Sequence, residues 1–140
     1  MRPLALAACL LTVAACGGSR SSTPESVVRA WSAALNRADD GAAAALFAPG
    51  ARIIQGDTEF VLTTHAQARA WNGGLPCSGT IEKLETKGEL VTATFLLEDR
   101  PGHTCDAPGA RALAVVHVHA GKIVLWHELA SEGGAPVPVV

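Results

Sequence analysis

Apolar and polar positions divide the chain into four stretches of different period. Residues 3–15 form an essentially unbroken apolar run behind the single charge of Arg2. A polar stretch over 17–22 follows. Val27, Val28, Trp31, Ala34 and Leu35 then recur at helical spacing. Thr23-Pro24-Glu25 precedes them with a capping hydroxyl, a proline at the first position and an acid in the first turn. This predicts a helix over 24–37. Asp39 or Asp40 caps a second helix, expected to run through Phe47 and to stop at Pro49-Gly50. The period then falls to two. Residues 51–55 read as a short strand and 60–62 as its hairpin partner. Thr64 caps a third helix through Trp71, closed by Gly73-Gly74.

Four strands are predicted after that, at about 78–87, 89–98, 110–119 and 122–129. Lys87-Gly88 and Ala120-Gly121 are tight-turn signals. The segment 99–109 is rich in turn formers. Three helices, a short hairpin and then a four-stranded antiparallel meander make an α+β pattern, with helices packed on one face of a curved sheet.

The leader changes where the domain begins. A membrane-spanning helix needs about 20 apolar residues, and this run is too short; it suits the core of a signal sequence. Val13-Ala14-Ala15 places small residues before Cys16. The segment resembles a bacterial lipoprotein signal peptide ending in a lipobox. The resemblance implies removal of residues 1–15, diacylation of Cys16, a tether over 16–23, a domain over 24–130 and a tail over 131–140. It also implies a cell-envelope location outside the cytoplasm. Gly17, where an Asp would retain the protein at the inner membrane, implies the outer membrane if the organism has two.

There are four cysteines. Cys9 falls in the leader and Cys16 is the lipidation site, so Cys77 and Cys105 remain. In an oxidising compartment such a pair reads as a disulfide, whose closed loop would stabilise the fold by about 3–4 kcal/mol. Two free buried thiols are the alternative. A metal site is a further one, although neither cysteine has a Cys-x-x-Cys partner. Loss of Arg2 moves the net charge from −2 to about −3. With no basic patch, nucleic acid is not an expected partner. There is no tyrosine, and only three tryptophans and three phenylalanines.

The phrase from Ala30 to Arg52, with Ala-Trp-Ser-Ala-Ala-Leu-Asn-Arg-Ala-Asp-Asp-Gly at its start, resembles the opening of SnoaL-like domains of the nuclear transport factor 2 superfamily. The closing hairpin, Val-His-Val-His-Ala-Gly-Lys-Ile-Val-Leu-Trp-His-Glu-Leu up to Leu129, resembles their last two strands. The resemblance covers about 24–130. It implies a cone of helices around a curved sheet with a deep apolar pocket, lined here by Trp31, Gln55, Trp71, Leu113, Val115, Trp126 and Glu128.

Carried onto this chain, the ketosteroid isomerase positions fall at Gln55, Trp31 and Leu113. None supplies the carboxylate base, phenol or protonated acid of that reaction. The acid/base position of SnoaL-like cyclases falls at Glu128, the one catalytic candidate. Its plain structural role would be a rim carboxylate paired with Arg52 or Arg111. A two-residue turn at Ala120-Gly121 pairs Val115 with Trp126 and Leu113 with Glu128. It sets Leu113, Val115, His117, His119, Trp126 and Glu128 on one face. Ala114, Val116, Val118, Ile123, Leu125, His127 and Leu129 fall on the other, which a second subunit often covers in this superfamily. His117 and His119 could chelate a metal if His103 or a neighbouring acid supplied a third ligand. The sequence names no such ligand, so neither metal nor cofactor is expected. His65 reads as a surface or pocket-mouth group.

These features favour a membrane-tethered, non-catalytic domain that binds a small apolar molecule. The alternatives are an enzyme on a small cyclic substrate with Glu128 as acid/base, or an envelope interaction module using the outer sheet face.

Overall fold

A computed structural model describes residues 21–130. The leader, Cys16 and the tail from 131 lie outside the described residues. No described helix is long and apolar enough to cross a membrane.

The helices begin where their caps stand. Thr23 Oγ1 accepts from Ser26 N and starts α1 (Pro24–Asn36). Asp39 caps α2 (Asp40–Ala44), and Thr64 caps α3 (His65–Gly74). Helix α1 buries Val27, Val28, Trp31, Ser32, Ala34 and Leu35 as one stripe. Six strands follow or intervene: β1 (Phe47–Gln55), β2 (Thr58–Leu62), β3 (Cys77–Lys87), β4 (Leu90–Asp99), β5 (Arg111–His119) and β6 (Lys122–Leu129). They form one sheet in the order β2-β1-β6-β5-β4-β3. Neighbours are antiparallel except β1 and β6, which run parallel. The early hairpin is therefore an edge of the main sheet, not a separate ribbon.

The second helix is shorter than its pattern predicts. It ends at Ala44, and Phe47 already belongs to β1. Pro49-Gly50 lies within that strand, not at a helix end. Gly50 takes φ +85°, and the pairing with β6 jumps from Phe47↔Ile123 to Arg52↔Leu125. The irregular stretch accommodates a proline that cannot donate to the ladder.

Two further bulges reset side-chain parity. In β6, Val118 pairs with Ile123 but His117 pairs with Leu125, leaving Val124 as the extra residue. Ile123 and Trp126 would fall on opposite faces of a regular strand. The bulge puts both on the helix-covered face, where both are buried. In β3 the shift between Ile81 and Lys83 does the same for Ile81 and Leu84. The β3–β4 turn falls at Gly88-Glu89, one residue beyond the Lys87-Gly88 signal, and Cys77 pairs with Asp99.

Helix α1 is fixed to the sheet through one glycine. A Cβ on Gly79 would stand 2.7 Å from Leu96 O, so only glycine fits. Its carbonyl accepts from Ser32 Oγ and Asn36 Nδ2, and its N–H donates to Asn36 Oδ1. Cys77 and Cys105 form a disulfide. It ties the 99–110 loop to the start of β3, as the cysteine count implies.

Candidate functional site

Five of the six large rings converge between the helices and the sheet. Trp31 from α1 and Trp126 from β6 have ring centroids 4.2 Å apart. Phe95 from β4 sits 5.9 Å from Trp31 and 6.1 Å from Trp126. Trp71 from α3 lies 6.1 Å from Trp126 and 5.4 Å from Phe47. These are ordinary packed-ring separations. Among the described residues the cone therefore holds its own side chains where an open pocket was expected. Rings need contact area that this short chain supplies only in its centre, and burying them there is more favourable than leaving a void.

The indole donors are also engaged. Trp31 Nε1 donates to Asn72 Oδ1 at 2.8 Å, and Asn72 Nδ2 donates to Ala68 O at 2.8 Å. Asn72 is fully buried. Trp71 Nε1 donates to Gln55 Oε1 at 3.0 Å, and Gln55 Nε2 donates to Glu128 Oε2 at 3.3 Å. Trp71, Gln55 and Glu128 are only half-buried and make a short polar chain beside the ring cluster. The expected guanidinium partners of Glu128 are elsewhere: Arg52 pairs with Glu59 and Arg111 with Glu82. Those hydrogen bonds to Glu82 hold the Arg111 pKa above its ordinary range.

The structure thus brings together Trp31, Gln55, Trp71, Trp126 and Glu128. It separates Leu113 and Val115 from them. Because of the bulge at Val124, Leu113 pairs with Leu129 and Val115 with His127, while Trp126 pairs with Val116 and Glu128 with Ala114. Paired residues share a face, so the single face expected from a regular hairpin is split. Leu125, His127 and Leu129 lie on the outer face as expected, whereas Ala114, Val116, Val118 and Ile123, expected there with them, are buried inside with Trp126. The inner β5 neighbour of Glu128 is Ala114, which provides no acid either.

Four residues central to this interior were not among the expected site residues. Phe47 and Phe95 complete the ring cluster, and they were findable as two of only six large rings. Asn72 is the buried acceptor for Trp31. Arg100, in a loop rich in turn formers, has a side chain with no exposed area. Its Nη1 donates to Asn72 O and Leu75 O, and its Nη2 pairs with Asp40. Its Nε is buried with no partner among the described residues. Arg100 thereby joins the disulfide-bound loop to α2 and to the C-terminal end of α3.

Outside the interior, two features stand out. On the outer face, Ile54, Leu96, Leu113, Val115, Leu125 and Leu129 form a half-buried apolar surface that no described element covers. At the hairpin end of the sheet, Glu89 lies between two imidazoles. One oxygen is 3.0 Å from His117 Nε2 and the other 3.0 Å from His119 Nδ1. These hydrogen bonds hold the Glu89 carboxyl below its ordinary range. His65 approaches Gly41 O from the surface, and His103 is exposed. Cys77, Cys105 and Asp106 also gather closely, but both sulfurs are spent in the disulfide and offer no thiolate.

Comparison with known proteins agrees with this architecture. Residues 28–126 match the model of the SnoaL-like domain. The fold is similar to an NTF2-like protein of unknown function from Cytophaga hutchinsonii, at a TM-score of 0.62 and 16% identity over 76% of this chain and 88% of that one. It is similar to a Catenulispora acidiphila protein with a ketosteroid isomerase-like fold, solved with trimethylamine, at 0.60 and 22% over 78% and 87%. A Sinorhizobium meliloti protein provisionally named a polyketide cyclase matches at 0.60 and 14% over 74% and 93%. At these identities the likeness concerns the fold. No curated protein matches the chain.

Proposed function

Since the chain belongs to the SnoaL-like domain family of the nuclear transport factor 2-like superfamily, and fold does not dictate function, we propose that it is a membrane-tethered, non-catalytic domain that acts through its surface. The observation that carries this reading is the 4.2 Å packing of Trp31 on Trp126 within the ring cluster. An internal ligand would have to displace indoles whose N–H groups at Trp31 and Trp71 already have acceptors.

The tether reading rests on the lipobox-like leader. Ser22 lies against the β5–β6 turn, 3.7 Å from where a Gly121 Cβ would stand. Six residues of chain at about 3.5 Å each reach some 20 Å. A lipid on Cys16 would therefore hold the hairpin ends of the sheet towards the bilayer. The outer apolar face would stay free to meet a partner, and a second copy of the chain suits it. The face is apolar at its centre, and its rim carries both signs in Arg52–Glu59 and Arg111–Glu82, which is compatible with a self-complementary two-fold contact.

Native mass spectrometry of the full chain, extracted from its own envelope, tests this reading. A two-copy assembly without a small molecule is expected. A stoichiometric small molecule on each copy would overturn it.

One observation favours a second reading, an enzyme with Glu128 as acid/base. Glu128 stands at the half-buried edge of the interior, where only Gln55 engages it among the described residues. Turnover of a cyclic substrate that disappears in Glu128→Gln would establish that reading in place of the first.

A further inference from the structure

The sequence places His117 and His119 two apart on one strand but names no third ligand. The fold brings one. Glu89 sits in the β3–β4 turn, and its backbone carbonyl accepts from Val118 N at 2.9 Å. That bond anchors Glu89 beside the residue between the two histidines. Its carboxylate then divides, one oxygen to each imidazole. The three groups come from two neighbouring hairpins and are held in register by main-chain pairing, with Leu90↔His117 and His117↔Leu125 on either side.

We infer that Glu89, His117 and His119 form a surface site for a borderline divalent cation such as Zn²⁺ or Cu²⁺. The donor set is two imidazoles and one carboxylate, which is the chemistry such ions select over Ca²⁺ or Mg²⁺. The ion would take the place of the hydrogen bonds between imidazole and carboxylate, each coordinating ring nitrogen giving up its proton to the ring's other nitrogen or to water. Its remaining positions would be filled by water, because the site is open to solvent. The two ring nitrogens must close on one point, and His119 has the freedom to do so, its side chain being 66% exposed. Lys122, the nearest cation along β6, is turned away and donates to Ala45 O. This site lies apart from the ring cluster and does not depend on the absence of catalysis there.

The test uses the full chain in mild detergent without a polyhistidine tag. It is titrated with Cu²⁺ and followed by electron paramagnetic resonance, and with Zn²⁺ against a chromophoric chelator. One ion per chain is expected, with hyperfine coupling to two imidazole nitrogens. His117→Gln and His119→Gln should each weaken binding by about tenfold or more, since even partners one shell removed from a metal are worth that much. Glu89→Gln should weaken it while leaving the nitrogen coupling in place. His103→Gln should leave both readouts unchanged. No saturable binding to the unmodified chain would overturn the site, and so would equal binding by the His117→Gln/His119→Gln double variant. All three side chains are exposed, so circular dichroism of each variant should match the parent.

Discussion

Trp31 and Trp126 meet at 4.2 Å with their planes 44° apart, and this contact closes the interior that the fold would otherwise leave open. One ring comes from the first helix and the other from the last strand. They can meet only because a bulge in β6 turns Trp126 inward.

Truncating one ring should reopen the space. Trp126→Ala is expected to lose about 3–5 kcal/mol, as large-to-small core changes do. It should also gain a dry apolar cavity able to take up benzene or indole. Denaturant unfolding with and without benzene measures both effects. Stabilisation by benzene should appear in the variant and be absent from the parent. Equal stabilisation of the parent would show that its interior is already open.

The Asp40–Arg100 pair makes a second prediction. Arg100 is wholly buried and Asp40 is about a quarter exposed. Asp40→Ala leaves the guanidinium uncompensated and should cost roughly 3 kcal/mol. Adding Arg100→Met should recover only part of that loss. The double variant removes the buried charge but also deprives Asn72 O and Leu75 O of their donor. A double-mutant cycle on unfolding free energy reads out the coupling.

A third concerns acid. The Glu89 carboxyl is held below its ordinary value of 4.5 by hydrogen bonds from His117 and His119. The unfolded chain therefore binds more protons than the folded one between the lowered value and 4.5. The stabilisation is complete above 4.5 and is lost as pH falls through the lowered value. Comparing acid unfolding of the parent and Glu89→Gln tests this. Their stability difference should shrink steadily below pH 4.5. The site is exposed, so the effect should weaken with added salt.

The outer face supplies a fourth. Val115 sits there between Thr92 and His127, away from the ring cluster. Val115→Lys should convert a self-associated species to a monomer in analytical ultracentrifugation. The melting temperature extrapolated to low protein concentration should change little. Unchanged sedimentation in the variant would argue against this face as the contact.

Local chemistry in the chain foretold much of the fold. Thr23, Asp39 and Thr64 are the caps observed, because a capping side chain acts on backbone within three residues of itself. The two-residue turn at Ala120-Gly121 is where the pattern placed it. The meander strands fall within one or two residues of expectation, and the Cys77–Cys105 bridge is present. Trp31, Trp71, Trp126, Gln55 and Glu128 do assemble. Leu113 and Val115 do not, and one residue accounts for the difference. Val124 interrupts the alternation, and a regular register carried the error to every position beyond it. A signal was available: Ile123 and Trp126 are three apart and both belong in a core, which a regular strand cannot satisfy.

What the sequence alone determined was the set of elements, where the helices begin, the meander turns and the pair of cysteines left to bridge, because caps, turns and periodicity act over a few residues. Tertiary structure decided the rest. It placed Phe47 in a strand, made Arg100 a buried tie, filled the cone with rings and brought Glu89 between two histidines. Each of these depends on groups far apart in the chain competing for the same volume or the same partner, and that competition is resolved only when the sheet closes against its helices.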